Sequence, residues 1–172
     1  VAVDDASHIG LSALANDSVD AVHEDADSGR RLYLTASVRQ RLHQRGFRER
    51  VLSAYRHQCA FCSLRHEELL DAAHIVPDSE PQGEPLVSNG LALCKLHHAA
   101  FDSYFLGVRP DYVVEVRPDI LKEHDGPTLV HAIQALHGVR ISVPARSVLK
   151  PATDLLELRY ERFLHARASV PL

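Results

Sequence analysis

Asn89-Gly-Leu-Ala-Leu-Cys94-Lys-Leu-His97-His98-Ala-Ala-Phe101-Asp102 is the stretch on which the fold turns. Leu91 to Cys94 is apolar and short, as a buried strand is, and Lys95 to Tyr104 then reads as a helix. Cys94 and His97 form a C-x2-H pair; upstream, Cys59 and Cys62 form a C-x2-C pair. Three thiolates and one imidazole complete a tetrahedral set for structural Zn2+, and a two-residue spacing lets a tight knuckle aim both side chains at one ion. The set uses all three cysteines of the chain. Three inert buried thiols would account for the cysteine content but not for the paired spacing.

A second constellation lies beside the first. His98 and Asp102 are four residues apart and share one face of a helix, where an imidazole and a carboxylate can grip one divalent cation. Adjacent helical residues point about 100° apart, so His97 can serve the zinc while His98 serves another ion. Further back stand His74 and, fifteen residues later, Asn89.

Working outward, Leu69 to Val76 reads as a strand stopped by Pro77, and Pro77 to Ser88, with three Pro and a Gly, as a loop. From Thr35 the pattern is helical with Val38 and Leu42; Gly46 punctuates it. A second helix then carries Phe47, Val51, Leu52 and Tyr55 on one face. Tyr112 to Val116 alternates like a strand. Pro127 and Gly138 bracket a helix, Val139 to Val143 reads as a strand, and Pro151 opens a last helix with Leu155, Leu156, Tyr160, Phe163 and Leu164 as its buried side. Tyr55, Phe61, Phe101 and Phe105 are expected in the core, and the remaining histidines, His57 and His66 among them, are expected to be bystanders.

The 172 residues carry a formal net charge of −4 and 45% hydrophobic residues, which suits a globular chain and excludes collagen-like and disulfide-scaffold classes; no run is apolar enough for a membrane span. The average charge argues against a nucleic-acid partner, but it hides a split. Residues 1–29 hold seven acidic residues and no Lys or Arg, whereas residues 30–57 hold eight Arg against Glu49 alone. Such a basic block is either a solvated face or an electrostatic footprint for phosphates. The absence of Met and the start at Val1 lead us to expect a segment of a longer protein; the odd cysteine count and the lack of an export signal lead us to expect a cytoplasmic one.

Asp71-Ala-Ala-His74-Ile-Val-Pro77 together with the stretch quoted first resembles the HNH endonucleases, and more narrowly the bacterial restriction-type proteins with A-H-I-x-P and L-C-x-x-H-H-x-x-F-D signatures. The resemblance is strong over about residues 50–108 and weaker to about residue 165. It implies an α+β chain: a ββα-metal (His-Me finger) core with structural zinc, flanked by helices and a small C-terminal α/β extension. The expected organisation is an acidic extension at 1–30, Arg-rich helices at 31–57, the HNH core at 58–108, and C-terminal helices and short strands of the same domain at 109–172.

The same resemblance implies a DNA endonuclease that uses Mg2+, Mn2+ or another divalent ion, as the catalytic part of a restriction-type enzyme; the alternative is a decayed, zinc-stabilised DNA-binding or interaction module. His74 matches the general base, Asn89 the residue that orients the base and braces its loop, and His98 and Asp102 the ligands of the catalytic ion. Cys59, Cys62, Cys94 and His97 match the zinc knuckles. Many members place Asp or His directly before the base; here that position is Ala73. Asp71 is the substitute candidate, and because it lies on the strand face opposite His74, it would need a bulge. For DNA backbone contact the candidates are Arg39, Arg41, Arg45 and Arg48. The resemblance further implies an N-terminal DNA-reading domain, and double-strand cutting would favour a homodimer.

Overall fold

The computed structural model describes residues 43–168. The expectations for residues 1–42, including the acidic extension, the helix from Thr35, Arg39 and Arg41, lie outside the described residues.

The first described element, α1, is helical over residues 43–54. Gly46 lies within it and does not interrupt it, which corrects the expected break: one glycine costs a helix only about 1 kcal/mol, and the buried face holds the turn together. That face, Phe47, Val51, Leu52 and Tyr55, is buried as the periodicity predicts. α1 is followed by the Cys59–Cys62 turn, and the chain then enters β1 (Leu70–His74).

β1 pairs antiparallel with β2 (Gly90–Cys94) in an unbroken register from Leu70↔Cys94 to His74↔Gly90. β2 is buried at every residue, so both its faces are covered and it reads as an apolar run instead of alternating. Gly90 is required there: a Cβ would lie 2.6 Å from Val51 Cγ2 and 3.0 Å from Phe47 Cζ, and this is where α1 presses on the ladder. The chain leaves β2 directly into α2 (Lys95–Asp102), which packs against both strands. β1, β2 and α2 form the ββα unit, and the fold class is α+β.

Beyond α2 a second hairpin forms from β3 (Leu106–Val108) and β4 (Val114–Val116). β3 and the short helix α3 (Pro118–Lys122) are too brief to show a period in sequence. α4 (Pro127–Ala132) stops at Ile133, whose φ of −120° and ψ of −64° leave helical space, and a single 3-10 turn, Gln134–Leu136, completes the stretch before Gly138 at φ 79°. Val139 to Val143 is not a strand. It lies along residues 112–114 through Gly138 N–Val114 O, Val114 N–Val139 O and Ile141 N–Tyr112 O bonds, but makes one bridge, Val113↔Arg140, because Ser142 already turns to the Ala60 carbonyl. The last helix, α5 (Thr153–Ala168), buries Leu156 and Phe163 as expected, but Leu164 is exposed and Arg159 is buried instead. Phe163 packs flat beneath β3, where a Cβ on Gly107 would lie 2.7 Å from its ring. One apolar cluster runs from Phe47 through Leu91 and Phe101 to Val114, Ile141 and Leu156, so the flanking helices share the core of the ββα unit. No helix among the described residues is long and apolar enough to cross a membrane.

Candidate active site

The Cys59, Cys62, Cys94 and His97 donor atoms all lie within 4.8 Å of one another, and no disulfide joins the thiols. His97 Nδ1 is 3.5 Å from Cys59 Sγ and 3.2 Å from Cys94 Sγ. A tetrahedral zinc with ordinary bond lengths sets such an edge at about 3.6 Å, so the four residues fit the ion. The surroundings favour it too. The Cys94 amide donates to Cys59 Sγ. His97 Nε2 lies 2.7 Å from the Ala132 carbonyl, an acceptor that fixes the proton on Nε2 and leaves Nδ1 free to ligate. Cys59 is held well below the usual thiol range, first by its hydrogen bond with Cys94; that same bond pushes Cys94 up, and burial pushes Cys62 up. One thiolate forms readily, and the others need a cation among them.

His74 ends β1. Its imidazole stacks on Phe47 of α1 with ring centroids 4.0 Å apart and planes 13° from parallel. Its Nε2 is buried with no partner among the described residues. Burial lowers its pKa below the ordinary value, helped by the field of His98 and partly opposed by the carboxylates of Asp78, Asp102 and Asp71. The ring is therefore neutral near pH 7 and able to accept a proton.

Asn89 is 1% exposed and spends its whole amide on the loop between the strands. Oδ1 accepts from the Val76 amide at 2.9 Å, and Nδ2 donates to the carbonyls of Val76 and Glu84 at 2.9 and 3.1 Å. These bonds pin the two ends of the segment that follows His74. Asn89 touches that loop backbone; none of its hydrogen bonds goes to the His74 ring.

Asp71, His98 and Asp102 meet in a row. His98 Nδ1 is 3.3 Å from Asp71 Oδ2, and its Nε2 is 3.3 Å from Asp102 Oδ2. Asp71 arrives from a regular strand, so the expected bulge is absent. α2 crosses β1 closely enough for His98 to reach the side chain without one. Ala73, on the same strand face, is 0% exposed, and a carboxylate would not fit there without displacing its neighbours. The two carboxylates pull the His98 pKa up to about 9, Asp102 more strongly than Asp71, while the bond to His98 lowers Asp71. In this arrangement the carboxylates flank opposite sides of the imidazole and the proton holds them together. The donor types, a carboxylate and an imidazole at a half-exposed position, suit a divalent cation shared by His98 Nε2 and Asp102, with Asp71 on the other side of the ring at Nδ1. Among the described residues the donors that converge on one point in a set of three or more are those of Cys59, Cys62, Cys94 and His97.

Two arginines flank the row. Arg48, a candidate for the DNA backbone, is a third exposed and bonded within the fold: Nη2 donates to the carbonyls of Glu67 and Leu70, and Nε lies 3.9 Å from Asp71 Oδ1. On the far side, Arg159 Nη2 lies 3.9 Å from Asp102 Oδ1. Arg45 is exposed on α1. Sequence reasoning missed Phe47 as the platform for His74 and Arg159 as a neighbour of Asp102. Phe47 could be found only as a core residue, and Arg159 sits in a helix whose apolar positions drew the reading elsewhere.

Residues 59–109 match the family model described as HNH endonuclease. Among solved structures, a "Modification dependent TagI restriction endonuclease" is similar at a TM-score of 0.45 and 18% identity, over 68% of this chain and 37% of that one. The match thus spans little more than a third of that protein. No curated protein matches.

Proposed function

We propose, on the match of residues 59–109 to the HNH endonuclease family, that the chain hydrolyses DNA phosphodiester bonds with a divalent ion, as the nuclease module of a restriction-type enzyme. The observation that carries this reading is the presence on one ββα unit of a neutral, half-buried His74 and the Asp71–His98–Asp102 row, whose charges act on it.

His74 acts as the general base. It takes a proton from the attacking water, and burial keeps it unprotonated for that task. Asn89 holds the loop after His74 rigid, so the ring keeps its place on Phe47. His98, through Nε2, and Asp102 would hold the divalent ion. When bound, that ion would supply Lewis-acid stabilisation of charge on the phosphate and the departing oxygen. Asp71 faces His98 Nδ1 and would orient the ring for that task, while the buried Ala73 offers no ligand. The Cys59, Cys62, Cys94 and His97 cluster holds a structural zinc that fixes the start of α2 against the first knuckle. A double-strand break takes two such sites, hence two copies of the chain, and reading of the target is assigned to a DNA-recognition portion N-terminal to this module.

The test is plasmid cleavage by the purified chain with Mg2+ or Mn2+, set beside His74→Ala. The expected result is cutting by the wild type and its loss in the variant, with DNA affinity and the melting transition retained. Equal cutting by His74→Ala would refute the assignment. Ala73 favours a second reading, a zinc-stabilised DNA-binding module without activity; DNA binding with no cleavage by the wild type under any divalent ion would establish it.

A further inference from the structure

Among the described residues Arg159 is the buried cation of α5. It is 6% exposed, and its hydrogen bonds, ion pair and ring contacts fall on Phe101, Asp102 and Tyr104 at the end of α2. Nη2 donates to the Phe101 carbonyl at 2.9 Å and Nη1 to the Tyr104 hydroxyl at 3.0 Å. The guanidinium lies 4.2 Å from the Tyr104 ring centroid and 4.7 Å from that of Phe101. Asp102, between those two residues in sequence, has Oδ1 3.9 Å from Nη2 while its Oδ2 faces His98.

The end of α2 needs a brace. The chain turns there through Tyr104 at φ 55°, a left-handed conformation that costs any residue with a Cβ about 1 kcal/mol. The Phe101 carbonyl belongs to the last turn, where its backbone donor is the Tyr104 amide at 3.2 Å, and a cation is favourable at that end. As a device for stability alone, Arg159 is a poor choice. Its Nε is buried without a partner, and an apolar side chain of similar volume between Leu156 and Phe163 would serve a core as well or better. The guanidinium offers what an apolar group cannot: two donors in a fixed fork, one for the Phe101 carbonyl and one for the Tyr104 hydroxyl, on either side of Asp102. One turn further along α5, Arg162 makes paired bonds to Glu80 at 2.7 and 2.6 Å, so the same helix also holds the loop that follows His74.

We infer that Arg159 is a positioning residue for the cleavage reaction, contributed from outside the matched segment: it locks the last turn of α2 so that Asp102 keeps one oxygen toward His98. The inference rests on the proposed nuclease reading, because it takes Asp102 as part of the reacting site.

Arg159→Lys and Arg159→Met are compared with the wild type and with Phe163→Leu, which loosens α5 beneath β3 without touching the end of α2. Amide hydrogen exchange is followed across residues 99–105, and cleavage and DNA affinity are measured at a temperature where every variant is fully folded by circular dichroism. Both Arg159 variants should exchange about tenfold faster at residues 101–105. They should also lose about tenfold or more in kcat, with DNA Kd within about twofold of the wild type. Lys keeps the charge but not the fork, so it should not rescue. Phe163→Leu should keep kcat. Unchanged exchange at 101–105, or a kcat loss no greater than that of Phe163→Leu, would overturn the inference. A wild type that binds DNA and never cuts it overturns the nuclease reading and the catalytic part of this one with it. In that case the exchange measurement still decides whether Arg159 locks the end of α2.

Discussion

His74 owes its proton-accepting state mainly to burial against Phe47, not to a hydrogen-bonding partner. Phe47→Leu keeps an apolar side chain but removes the flat face, letting water reach the imidazole. The His74 pKa should then rise toward its ordinary value, and the acid limb of the cleavage pH profile should move to higher pH; a profile identical to the wild type would argue that the stack is incidental. His98 behaves in the opposite sense. Its folded-state pKa of about 9 lies above the unfolded value of 6.5, so its contribution to stability is fully present below about pH 6.5 and is lost as pH rises through about 9. Zinc-loaded protein without other divalent ions should therefore melt at a lower temperature at pH 9 than at pH 6.5. A divalent ion must displace that proton, so Mn2+ affinity measured by calorimetry should climb with pH over the same window. The residues proposed for this chemistry were legible because their spacing is local: two residues between the members of each knuckle, three between His98 and Asp102. Arg159 was not. Its partners lie 55 and 58 positions earlier in the chain, and no local pattern marks an arginine that turns inward.

At the scale of elements, the β1–β2 ladder and α2 were readable from one apolar run and one change of period. The second hairpin was half readable: Tyr112 to Val116 alternates, but Leu106–Val108 is three residues with a glycine in the middle, and its pairing is set by the partner strand. Val139 to Val143 has a strand's composition but pairs with residues 112–114 at one bridge only before Ser142 turns to Ala60. The tightest element contact is at Gly90, where the ladder meets α1. Gly90→Ala puts a methyl into Val51 and Phe47 and should cost about 1–3 kcal/mol in denaturant unfolding, as overpacking does. A loss near zero would mean that α1 shifts freely. The zinc cluster joins three elements: the first knuckle, the start of α2 and, through the Ala132 carbonyl, α4. Cys62→Ser, or removal of zinc by a strong chelator, should lower the melting temperature by about 10 °C or more, read by circular dichroism.

For the whole molecule, the matched segment 59–109 is not the folding unit. The apolar cluster takes Phe47, Val51 and Leu52 from before it and Val114, Ile141 and Leu156 from after it. A peptide of residues 59–109 supplied with zinc should show no cooperative thermal transition, whereas residues 43–168 should; a sharp transition in the short peptide would contradict the shared core. Composition misleads at this scale. The net charge of −4 argues against a polyanion partner, while the helix leading into the core is rich in arginine. Even there, location decides what a charge does: Arg48 is bonded to the Glu67 and Leu70 carbonyls, and Arg45 stands exposed.

His97 and His98 are consecutive residues on α2, one turned to the cysteines and the other to the carboxylates. A single peptide unit therefore acts as a gauge between the two centres. Replacing zinc by a larger thiophilic ion such as Cd2+ would stretch the cysteine cage and push on His97. The strain would reach His98 across that one rigid linkage, with no flexible chain to absorb it. An ion bound for structure would thus retune the reaction next door, and the choice of metal at the cage becomes a dial on the chemistry rather than a mere staple.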